Sequence, residues 1–83
     1  MNREAFDGAP LSQKVFKVFE SGKELTSRVF LHCHIKLYAI DGFYAEVYYV
    51  PAANKIHKVE SLSLDEVLEV YGKQLDISGL MTG

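Results

Sequence analysis

The chain has 83 residues, the length of one domain, and a single cysteine, Cys33, so neither an intrachain disulfide nor a cysteine-only zinc site can reinforce its thin core. Its 48% hydrophobic and 24% charged residues exclude a disordered chain. Nine basic residues against eleven acidic ones leave a net charge of −2, which offers no field to a phosphate backbone, and no nucleic-acid partner is expected.

Met1 to Pro10 is polar and lacks the apolar segment of a signal peptide. No apolar run approaches the ~18–20 residues of a membrane span, so no membrane partner is expected. These features lead to the expectation of a cytoplasmic protein. Residues 1–83 read as a single small domain, with 1–8 and 80–83 as loose ends.

Pro10 suits the first turn of a helix, where its missing N–H costs nothing. Leu11, Val15, Val18, Gly22 and Leu25 fall on one helical stripe, widened by Phe16 and Phe19. A first helix is predicted over residues 10–26, with Gly22 either ending it or lying inside it where another element packs close.

Residues 29–39 then alternate. Val29, Leu31, Cys33, Ile35, Leu37 and Ala39 point one way, and Phe30, His32, His34, Lys36 and Tyr38 the other. Asp41-Gly42 is a hairpin signal, and Phe43 to Val50 is the return strand. A two-residue loop would pair Ile40 with Phe43, Leu37 with Glu46 and Lys36 with Val47, mixing polar and apolar residues on both faces. A three-residue loop pairs Leu37 with Ala45, Ile35 with Val47 and Lys36 with Glu46, giving one apolar face and one polar face. The reading therefore favours the three-residue loop with a bulge at Gly42.

Pro51 closes the second strand and Asn54 suits the turn that follows. A third strand is expected over residues 55–62, bulged near His57-Lys58 so that Val59 returns to the core. Ser63-Leu64-Asp65-Glu66 forms a capping box, with Leu62 and Val67 as its hydrophobic staple, and opens a second helix over residues 64–75. Ile77 and Leu80 are expected to dock the segment beyond it. The predicted class is α+β: a helix, a three-stranded antiparallel meander and a helix, with both helices on one sheet face.

That arrangement leaves the other face bearing His32, His34, Lys36, Tyr38, Tyr44, Glu46, Tyr48 and, across the third strand, His57. A large face rich in Tyr and His implies contact with something. The leading expectation is a homo-oligomer, most simply a dimer, using His32, His34, Tyr38, Tyr44, Glu46, Tyr48 and His57 as its interface. The alternative is a small-ligand or metal-binding protein using the same face, since His-x-His on a strand sets two imidazoles ~6.6 Å apart on one side. No nucleophile elbow, phosphate-binding glycine loop or carboxylate pair is present, so no catalytic residue, metal ligand set or cofactor is assigned. Cys33, on the core face, reads as a small hydrophobe.

Overall fold

The computed structural model describes residues 1–72. In chain order it contains α1 (Arg3–Asp7), α2 (Leu11–Ser21), β1 (Lys23–Phe30), β2 (Cys33–Ile40), β3 (Phe43–Val50), a 3-10 turn (Pro51–Ala53), β4 (Lys55–Leu62) and α3 (Leu64–Tyr71). The α+β class holds, but the meander has four antiparallel strands in the order β1-β2-β3-β4 rather than three. The expectations for residues 73–75 of the second helix, for Ile77 and Leu80, and for a loose end at 80–83 lie outside the described residues.

The N-terminal segment is no loose end. The Asn2 side chain accepts the Ala5 N–H and caps α1, a satisfaction of orphan helix donors that costs nothing in packing. Its one large apolar residue, Phe6, is completely buried, with its ring edge-on to Phe43 at a centroid distance of 5.2 Å.

α2 stops at Ser21, earlier than the apolar stripe suggested. Gly22 ends it by donating its N–H to the Val18 carbonyl at 2.7 Å, and the chain passes straight into β1 at Lys23. A Cβ on Gly22 would lie 2.5 Å from the Val18 carbonyl oxygen and 3.4 Å from the Tyr38 Cβ, so the joint admits glycine alone without a shift of backbone. Of the two sequence readings of Gly22, the helix end is the one that holds, since the glycine lies past the last helical residue and not inside the helix.

The single strand expected over 29–39 is two strands joined by a turn at Leu31 and His32, which places Phe30 opposite Cys33. The next hairpin closes through two residues, not three. Asp41 and Gly42 have φ of 47° and 89°, the pair of positive values a type I′ turn requires, and its twist matches that of the strands. Ile40 therefore faces Phe43, Leu37 faces Glu46 and Lys36 faces Val47.

The reason is that the sheet has helices on both sides. Phe6 of α1 and Val18 of α2 pack with Tyr38, Ile40, Phe43, Ala45, Val47 and Val59. Val67 and Tyr71 of α3 pack with Leu37 and Leu62 against the opposite face. The expectation of both helices on one face is thus corrected. A sheet covered on both sides has no wholly polar face, so a register chosen to create one was the wrong register. Burial of Ile35 and Leu37 on one side and Ile40 on the other is worth roughly 1.5–3 kcal/mol per side chain.

β4 carries the anticipated bulge. Tyr48 faces Lys58 while Tyr49 faces Ile56, leaving His57 without an opposite number. Val59 returns to the core on the α2 face, and Asn54 takes the left-handed conformation at φ 49°. The capping box is present in full: Ser63 Oγ accepts the Glu66 N–H and Glu66 Oε1 accepts the Ser63 N–H. Arg3 of α1 donates to the same Glu66 carboxylate at 3.0 Å and to Ser61, linking the two ends of the described chain.

Candidate functional sites on the two sheet faces

The two-residue loop distributes the expected face over different parts of the molecule. His34 and Tyr38, with Lys36, lie on the α2 face. Tyr44, Glu46 and Tyr48 lie on the α3 face. His32 sits in the β1–β2 turn and His57 at the β4 bulge, both exposed. The single Tyr/His surface is therefore not assembled, and Tyr48 faces Lys58 rather than His57. Since His32 is outside the strand, the period-two argument for a shared His-x-His metal does not apply. Among the described residues no three His, Cys, Asp or Glu side chains come together as a ligand set.

On the α3 face, Glu46 is the one charged residue buried among the described residues, at 2% exposure. Three donors converge on it. Arg28 Nε of β1 lies 3.1 Å from Oε2, the Tyr48 hydroxyl of β3 lies 3.2 Å from Oε1, and the Tyr71 hydroxyl of α3 donates to Oε2. Arg28 Nε also reaches the Tyr71 oxygen at 3.2 Å, and its guanidinium stacks 5.5 Å from the Tyr71 ring centre. The cross-strand pair expected between Lys36 and Glu46 is replaced by two others: Glu46 with Arg28, and Lys36 with Glu24 at 3.5 Å.

Burial and the adjacent Glu46 carboxylate hold the Tyr71 phenol protonated far above its ordinary value. Burial, then the negative charges of Glu46 and Glu60, push Tyr48 up to about 12. At 2% exposure, with three of its roughly four acceptor positions taken by a cation and two phenols of the protein itself, the carboxylate has little to offer a substrate. This cluster is a polar pin that satisfies itself and fastens α3 to β1 and β3.

The α2 face holds a cleft instead. α2 crosses the sheet with α1 packed on one flank, where Phe6 fills the space over Phe43. On the other flank nothing corresponding covers the sheet, and a hollow of about 400 Å³ remains. Tyr38, Val47 and Ile56 form its floor, and Phe19 of α2, 6.0 Å from the Tyr38 ring centre, is its wall. His34, Lys36 and Tyr49 complete the rim, with the Tyr49 hydroxyl bonded to Asn54. Two of the residues singled out from the sequence, His34 and Tyr38, meet here. Phe19, Val47, Tyr49 and Ile56 were missed, because their convergence depends on the strand register and on the early end of α2.

A third feature is the β1–β2 hairpin. β1 is an edge strand. Val29 is 70% exposed, Phe30 54% and Leu31 78%. Leu31 has φ 56°, a left-handed conformation that costs a non-glycine residue roughly 1–2 kcal/mol.

Comparison with known protein families, with curated proteins and with solved structures finds no match for this chain. Among the described residues no helix is long and apolar enough to cross a membrane.

Proposed function

We propose that the protein is a small homo-oligomeric interaction module that pairs with a second copy of itself along β1 and the tip of the β1–β2 hairpin. The observation that carries this reading is Leu31: a large apolar side chain held in a strained backbone conformation and presented to solvent, beside Val29 and Phe30 on an open sheet edge.

The two edges of the sheet are not equivalent. β4 is guarded by its bulge at His57 and by Lys55 and Lys58, devices that discourage strand addition. β1 has its irregularity between Glu24 and Thr26, so the stretch from Thr26 to Phe30 is regular and, among the described residues, has no strand on its outer side. The one charge of this stretch, Arg28, is neutralised within its own chain by Glu46. Two copies related by a twofold axis therefore meet edge to edge without like-charge repulsion, and each presents the same apolar patch to the other. The thin core of so short a chain favours the same outcome.

Light scattering on a sizing column, from micromolar to near-millimolar protein, tests the proposal. The wild-type chain is expected to form a dimer, Val29→Lys a monomer, and Lys55→Glu on the opposite edge a dimer. A wild-type chain that stays monomeric throughout overturns the reading. So does dissociation caused by the β4 substitution and not by the β1 substitution.

A further inference from the structure

The cleft beneath Phe19 has its own chemistry, and we infer that it binds a small, flat, apolar molecule carrying one anionic group, of the class of aromatic carboxylates and sulfonates. Its volume of about 400 Å³ lies within the range of small-molecule sites, and its lining is mostly apolar with a few polar groups at the rim.

The position of the cleft explains why it is vacant of protein. On the α2 face the sheet is covered unevenly. The ring of Phe6 from α1 packs over Phe43, whereas the hollow beside Phe19 is left open among the described residues. A planar apolar group entering this hollow would meet the Phe19 and Tyr38 rings and the Val47 and Ile56 side chains, as Phe6 meets Phe43.

The charge at the rim selects the sign of the ligand. Lys36 is the one formally charged side chain that lines the cleft. Its partner Glu24 is not part of the lining, lies at 3.5 Å and is half exposed, so the pair is weak and the ammonium can turn to an entering anion. His34 adds a hydrogen-bonding group on the same rim, whereas the Tyr49 hydroxyl has its proton engaged by Asn54. A cation would be repelled by Lys36, and a neutral hydrocarbon would leave it unused.

The cleft is built within one chain, so the oligomeric state does not decide this inference. The test uses two fluorescent probes that share a skeleton, N-phenyl-1-naphthylamine and its sulfonate 8-anilino-1-naphthalenesulfonate. The sulfonate is expected to bind wild type more tightly than the neutral amine. Lys36→Gln should weaken the sulfonate roughly fivefold and leave the amine unchanged, the signature of one partly exposed charge contact. Added salt should weaken the sulfonate on wild type but not on Lys36→Gln. His34→Trp, at an exposed strand position that accepts an aromatic, should plug the rim and weaken both probes with the thermal unfolding transition unchanged. Phe16→Ser, at the shallower trough on the outer side of α2, should alter neither. Absence of binding, equal binding of the two probes, insensitivity of the sulfonate to Lys36→Gln, or loss in Phe16→Ser alone overturns the inference.

Discussion

The hydroxyl of Tyr71 in the last turn of α3 donates to the carboxylate of Glu46 in the central strand β3, joining the end of the described chain to the middle of its sheet. Arg28 and Tyr48 share the same acceptor. Tyr71→Phe removes one of three donors from a buried carboxylate and is expected to cost about 1–3 kcal/mol in urea unfolding. Glu46→Gln should cost more, about 3 kcal/mol or above, because it leaves the Arg28 cation facing a dry site. A double-mutant cycle should show the two losses to be coupled; simple additivity would mean that α3 is held by Val67 packing alone.

Alkaline pH should attack the same cluster. Tyr48 and Tyr71 are held protonated above the ordinary value of 10, by burial first and by Glu46 in addition, and Tyr38 is raised by burial and Glu24. Folding thus prefers the neutral phenols, while the unfolded chain ionises them near pH 10. Their contribution is fully present below pH 10 and is lost as pH rises towards about 12, the value for Tyr48. Phenolate absorbance should show these tyrosines titrating together with unfolding above pH 10. A Tyr48→Phe chain should lose less stability over that window than wild type; an identical decline would exclude Tyr48 as a cause.

Leu31 sets stability against association. Leu31→Gly accepts φ 56° without strain and should raise the stability of the isolated chain by ~0.5–1 kcal/mol, measured at dilutions where wild type is monomeric. The same change removes a side chain that is 78% exposed at the hairpin tip, so it should also weaken the dimer. If the dimer is unaffected, the strain at this position serves something other than self-association.

Gly22→Ala brings a Cβ to 2.5 Å from the Val18 carbonyl oxygen, a backbone atom inside a packed helix. The expected loss is about 1–3 kcal/mol in thermal or urea unfolding. A neutral result would show that α2 can unwind its last turn without disturbing Tyr38.

The sequence announced features that depend on near neighbours alone: the Ser63–Glu66 capping box, in which side chains bond neighbouring backbone, the left-handed Asn54, a residue type that tolerates that conformation, and the bulge at His57, signalled by the three-residue spacing of Ile56 and Val59. Asn2 was an equally local signal, three residues before the N–H it accepts, and it could have revealed α1 and the burial of Phe6. The turn at Leu31-His32 had no such sign, because neither residue is a usual turn former. β1 was hidden by Leu25, which happens to continue the helical stripe of α2, although Thr26, Val29 and Phe30 favour a strand. The Asp41-Gly42 turn was visible, but its length was inferred from a sheet with one wet face. Only the placement of α3 opposite α2 makes sense of Glu46 beside Leu37, and that depends on contacts far apart in the chain, such as Arg28 with Tyr71.

The one-residue joint between α2 and β1 has a practical corollary for anyone grafting onto this scaffold. Extra length at Gly22 would break the bond to Val18 and detach the helix from the edge strand, so a foreign loop or label has no place there. Ala52 and Ala53, solvent-facing and clear of both the pairing edge and the Glu46 pin, form the corner where a cargo can be carried while the rest of the molecule keeps its shape.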